Sequence, residues 1–107
     1  MDISLLGRHA LVTGASQGIG RAVATELAAL GATVTLLARD RAKLEETAAH
    51  LDRSKGQEHR ILSVDMSDTA ALDAAVQAHV KAHGPVQVLV NNTGGPPPGL
   101  AHEADIA

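Results

Sequence analysis

Three glycines, Gly14, Gly18 and Gly20, lie in the segment Thr13-Gly14-Ala15-Ser16-Gln17-Gly18-Ile19-Gly20, which follows the apolar run Ala10-Leu11-Val12 and opens a helical pattern at Ile19. A strand, a glycine-rich turn and a helix start, in that order, make a cradle for a dinucleotide pyrophosphate. Gly14 lets the chain turn sharply off the strand end, because it reaches positive φ without a Cβ clash. An absent side chain at Gly18 admits phosphate oxygens to the backbone amides, and one at Gly20 allows close packing of helix on strand. The positive end of the helix dipole then faces the anion. The bland alternative is a glycine-rich turn without a ligand, and the flanking strand and helix patterns count against it. Ser16 sits in this turn, but Gly-Ala-Ser-Gln-Gly is not the G-x-S-x-G elbow of a hydrolase and no base is near, so a phosphate-facing hydroxyl is the better reading. Gln17 and Ile19 are counted with the cradle.

The elements that must position these residues follow from periodicity. Apolar runs at Ala10 to Val12, Val34 to Ala38, Ile61 to Val64 and Val86 to Val90 are continuous rather than alternating, which suits parallel strands covered on both faces. Between them, Ile19, Val23, Leu27 and Leu30 recur at helical spacing, as do Leu44, Ala48 and Leu51, then Leu72, Val76 and Val80. Each set predicts one buried stripe. Gly31 ends the first helix, Asp40 is placed to cap the second and Gly56 follows it, Ser67 or Asp68 to cap the third, and Gly84-Pro85 to stop it. The expected fold is α/β, a Rossmann-type doubly wound parallel sheet that is incomplete: β-α-β-α-β-α-β, strand order 3-2-1-4, with right-handed crossovers. Residues 96–107, with Pro96, Pro97 and Pro98, read as loop or the start of a further helix. The whole of 1–107 reads as a single, truncated dinucleotide-binding domain.

Ligands of such a sheet bind beyond the carboxyl ends of the strands. The residue after the second strand therefore chooses the cofactor. An acid there would accept hydrogen bonds from the ribose hydroxyls of NAD, but the sequence reads Ala38 and then Arg39. A guanidinium grips a phosphate with paired, charge-assisted bonds, so NADP (NADPH) is favoured over NAD. The competing reading of Arg39 is a solvated charge near a helix start. Asp40 stands one step late for the NAD role and reads as a cap.

The spacing of glycine, three residues, glycine, one residue, glycine resembles the fingerprint of the short-chain dehydrogenase/reductase family. Asn91-Asn92-Thr93-Gly94 resembles that family's Asn-Asn-Ala-Gly turn, and the likeness runs from about His9 to Gly95. Within the family the chain is most similar to 3-oxoacyl-carrier-protein reductase-like members. The resemblance implies that Asp65, followed by Met66, meets the adenine amino group; helix capping shared with Ser67 and Asp68 is the alternative for Asp65. It implies that Asn91, Thr93 and Gly94 wall the adenosine ribose and the inner end of the cofactor. It also implies oxidoreduction of a carbonyl/alcohol pair by a Ser, a Tyr and a Lys beyond the half present here. The chain has no tyrosine and three lysines, Lys43, Lys55 and Lys81, so no catalytic residue is assigned. The expectation is a fragment that holds cofactor and is inactive alone. The alternative is a non-enzymatic nucleotide-binding or interaction module.

Composition bounds the rest. The chain has 107 residues, no cysteine, no Phe, Tyr or Trp, and a formal net charge of -3. Leu, Val, Ile and Ala must therefore fill the core, with little area per side chain. The charge argues against nucleic acid, since backbone binding needs clustered Lys and Arg. No run approaches the roughly 20 apolar residues of a membrane span, and no signal peptide is evident. A cytoplasmic location is expected, with self-association through an open sheet edge or a homo-oligomer. His79 and His83 lie four apart on one helical face, but no Glu follows the first and no third ligand is placed, so no metal is assigned.

Overall fold

The computed structural model describes residues 4–15 and 18–91. Seven elements alternate: β1 (His9–Thr13), α1 (Gly18–Ala29), β2 (Thr33–Ala38), α2 (Arg41–His50), β3 (Arg60–Ser63), α3 (Thr69–His83) and β4 (Val88–Val90). The strands form one parallel sheet in the order β3-β2-β1-β4, with Val12 opposite both Leu36 and Val90. This is the topology expected from the alternation of apolar runs and helical stripes.

Local chemistry sets the helix ends. The Asp40 carboxylate accepts the Lys43 amide at 3.1 Å, and Asp68 accepts that of Ala71 at 3.1 Å, each satisfying one donor that the first helical turn leaves free. Of the two residues considered for the third cap, Asp68 takes the role; Ser67 bonds to Asp65 instead. Asp40→Ala is expected to cost about 1 kcal/mol of stability, measured by urea unfolding, because the Lys43 amide loses its acceptor. No change would remove Asp40 as a structural cap.

Side chains alternate across the sheet, so each face has its own core. Ala10, Val12, Val34, Leu36, Val88 and Val90 pack under Ala24, Leu27 and Ala28 of α1 and Leu44 and Ala48 of α2. Small residues on α1 bring that helix close to the strands. The opposite face, carrying His9, Leu11, Thr35, Leu37 and Leu89, meets α3. There the expected stripe is only half realised: Leu72, Val76 and Val80 are partly buried, and His79 alone in α3 is buried. Leu89, beside Leu11 in the sheet, is 50 % exposed. One helix among the described residues covers a face that is four strands wide.

Two further expectations shift. Ile19 is 73 % exposed, because the buried side of α1 runs through Gly20, Ala24, Leu27 and Ala28 and Ile19 lies off that side. The fourth strand begins at Val88 rather than Val86. The Gln87 side-chain carbonyl takes the His9 amide at 2.7 Å while the Gln87 amide donates to the His9 carbonyl at 2.9 Å, which replaces ladder pairing at that end.

Candidate functional site

Parallel order brings the carboxyl ends of all four strands to one edge, and the residues leaving those ends form the site. Thr13 and Gly14 leave β1, Arg39 leaves β2, Val64 and Asp65 leave β3, and Asn91 leaves β4. Gly14 and Gly18 both have φ of 61°, a region that side-chain-bearing residues rarely enter. A Cβ at Gly18 would meet nothing within 4 Å, so backbone conformation rather than crowding calls for glycine there. The turn is tied to its neighbours on both sides. Ala15 is buried and donates its amide to the Leu37 carbonyl at 3.3 Å, while the Thr13 hydroxyl is shared between Asn91 Oδ1 at 3.0 Å and the Val90 carbonyl at 3.4 Å. The α1 N-terminus follows immediately. Its first turn contains no acidic residue, so no side chain there opposes an approaching anion.

A second set of contacts holds the outer half of the edge. The Val64 amide donates to the Ala38 carbonyl at 2.9 Å, and the Ser63 hydroxyl donates to the Arg39 carbonyl at 2.9 Å. The Arg39 backbone is thereby pinned at the strand tip while its side chain stays exposed. Its guanidinium has no hydrogen bond or ion pair within the described residues. Asp65 Oδ1 accepts from the Ser67 hydroxyl at 2.7 Å and the Ser67 amide at 2.9 Å, closing a turn ahead of α3. Those two bonds, with a smaller contribution from the charge of Arg39, hold the Asp65 carboxyl below the usual carboxylate range. Asp65 is therefore a turn former and not the α3 cap. Met66, next in the chain, is partly buried.

Residues 8–107 match the family model for short chain dehydrogenases. The chain belongs to the short-chain dehydrogenase family. D-erythrulose reductase of Gallus gallus is 47 % identical over 91 residues, covering 85 % of this chain and 33 % of that protein. The chain spans about a third of the length of several curated relatives of this kind. A different proportion holds for the short-chain dehydrogenase/reductase homolog YusS of Bacillus subtilis, 38 % identical over 91 residues, which cover 84 % of this chain and 83 % of YusS. Among solved structures, L-sorbose reductase of Gluconobacter frateurii, complexed with NADPH and L-sorbose, superposes with a TM-score of 0.80 at 34 % identity, over 98 % of this chain and 40 % of the reductase.

Of the residues that the chain was expected to use, Gly14, Gly18, Ile19, Gly20, Arg39, Asp65, Met66 and Asn91 lie at the strand-tip edge or on the first turn of α1 beside it. Ser16, Gln17, Thr93 and Gly94 lie outside the described residues. Exposed Ile19 offers an apolar surface on the first turn of α1. Three contacts were missed from sequence: Thr13 to Asn91, Ala15 to Leu37 and Ser63 to Arg39. A signal for the first did exist, since the two motif turns each start one residue beyond Val12 and Val90, which are partners in the sheet. His79 and His83 are at the other end of α3, and among the described residues no group of three or more His, Cys, Asp or Glu side chains is arranged to hold a metal. No described helix is long and apolar enough to cross a membrane.

Proposed function

We propose that this chain is the cofactor-holding part of an NADP(H)-dependent oxidoreductase that acts on a carbonyl/alcohol pair. The observation that carries the reading is the pairing, on one sheet edge, of a positive-φ glycine turn at the α1 N-terminus with an uncommitted guanidinium at the tip of β2. The residues fit the two ends of such a ligand. Backbone amides around Gly14 to Gly20 suit the bridging diphosphate, and Arg39 suits a 2′-phosphate through charge-assisted hydrogen bonds. Asp65 leaves Oδ2 free of hydrogen bonds within the described residues and so presents an acceptor for an adenine amino group. Asn91, tied to Thr13, sets the inner wall.

When bound, the nicotinamide supplies or takes up hydride. This chain's residues bind and orient the dinucleotide; the proton that accompanies hydride transfer needs a positioned acid, and no tyrosine is present to act as one. By this reading the 107 residues alone bind nucleotide and do not reduce substrate. The β4 edge, which pairs with no further strand among the described residues, and half-exposed Leu89 are the surface through which we expect copies of the chain to associate, to be read by size-exclusion chromatography.

Titration of the chain with NADPH, followed by the cofactor's own fluorescence, tests the reading directly, since a chain without Phe, Tyr or Trp contributes no aromatic background. Saturable enhancement, weaker for NADH, is expected. Failure of both nucleotides to saturate at millimolar concentration would overturn it. The alternative is a nucleotide-binding or interaction module without catalysis. Assay of the intact gene product for NADPH-linked carbonyl reduction separates the two.

A further inference from the structure

The end of the sheet away from the site holds a buried polar cluster that the cofactor reading does not use. His9, the first residue of β1, places Nε2 at 2.9 Å from the Thr35 hydroxyl of β2; the same hydroxyl is 2.9 Å from Nε2 of His79 on α3, and the two Nε2 atoms are 3.2 Å apart. All three residues are buried. His79 is the one buried residue of α3, so this triangle takes the place that an apolar stripe holds in α1 and α2. A polar contact within a docking face makes the docking dependent on how its protons are arranged.

In the neutral state the single Thr35 hydroxyl proton is donated to one Nε2, and the Nε2–H of the other ring is donated to the Thr35 oxygen. One Nε2 of the pair is then an acceptor and the other a donor. A further proton on the accepting Nε2 would set two N–H groups against each other at 3.2 Å. It would also add positive charge among groups of the same sign. The charged and titratable groups facing the two rings are Arg60 from β3, His83 from α3, whose ring centroid is 4.8 Å from that of His79, and the rings themselves.

We propose that His9, Thr35 and His79 form a proton-sensitive latch that holds α3 on the sheet near neutral pH and releases it on acidification, while α1 and α2 stay packed on the other face. The direction follows from linkage. Burial, then the neighbouring positive charges, hold both imidazoles below their ordinary value, His79 at about 4. The released state therefore binds more protons than the docked state below the ordinary imidazole pKa of about 6.5. Docking is at full strength above that pH and weakens as pH falls toward the docked-state value.

Amide hydrogen exchange on the full chain at about pH 7.5 and about pH 5, corrected for intrinsic rates, reads the release. Protection across α3 is expected to fall about tenfold or more relative to α1 and α2, the change produced by roughly one unit of pH through a single coupled proton. In the His9→Gln/His79→Gln double variant, which keeps polar side chains but has no proton to take up, the differential fall should vanish. Ring-proton NMR titration of the unsubstituted chain provides a readout independent of whether that variant folds, with the His79 resonance titrating well below the ordinary range. His59 is also held low, chiefly by burial, but it sits between the Val34 amide and the Asp52 carbonyl, so its protonation loosens the loop before β3 and not α3. Equal loss of protection in all three helices, an undiminished fall in the double variant, or titration of His79 near its ordinary value would each overturn the latch.

Discussion

Arg39→Asp is expected to weaken NADPH binding by about 10- to 100-fold while leaving NADH binding unchanged or improved, because charge-assisted hydrogen bonds contribute about 1.5–3 kcal/mol and about 1.4 kcal/mol is tenfold in affinity. The substitution removes the guanidinium from the tip of β2 and places a carboxylate where ribose hydroxyls could donate to it. The backbone should be undisturbed. Its local anchors, the Ser63 hydroxyl on the Arg39 carbonyl and the Val64 amide on the Ala38 carbonyl, involve no Arg39 side-chain atom. A loss of binding therefore reports the side chain. Repeating the titration at high salt adds a second check, since an exposed cation–phosphate contact is screened and a ribose contact is much less so. Parallel losses for NADPH and NADH would take Arg39 out of cofactor choice and return it to the solvated surface charge that its exposure also permits.

Leu36→Ala is expected to destabilise the chain by about 2–5 kcal/mol, the range for emptying a buried leucine site. Leu36 is fully buried on β2, the strand flanked by β1 and β3, and lies in the cluster shared with α1 and α2. A core without aromatic side chains has no large neighbour to swing into the space, so relaxation recovers little. Against a typical domain stability of about 5–15 kcal/mol, such a loss is enough to threaten cooperative folding. Urea unfolding followed by far-ultraviolet circular dichroism measures it. Leu89→Ala, at a half-exposed position on β4, is the control and should change stability by less than about 0.5 kcal/mol. Similar losses at the two positions would mean that both faces are covered alike in solution.

The two substitutions separate two kinds of information in the chain. Residues that act within a few positions of themselves were legible from sequence: Asp40 caps α2 because its carboxylate reaches an amide three residues on, and Gly14 and Gly18 enter positive φ where the strand must turn. Continuous apolar runs predicted β1 and β2 well, since both are buried along nearly their whole length. The same pattern overstated β4, where the side chain of Gln87 competes with the ladder for His9. At the site, the strand-tip placement of Arg39, Asp65 and Asn91 followed from topology, whereas the bonds that hold them did not.

Element types, their order, the glycine turn and the caps were therefore determined by the sequence itself, because each depends on periodicity or on contacts a few residues apart. The tertiary structure decided what register brings together: Thr13 with Asn91, Ser63 with Arg39, and His9 with Thr35 and His79, pairs separated by 24 to 78 residues. It also decided that Ile19 lies outside the core and that α3 docks through a histidine. Periodicity states that a helix has a buried side; which residues face it depends on where the helix starts and on how much of the sheet other helices cover.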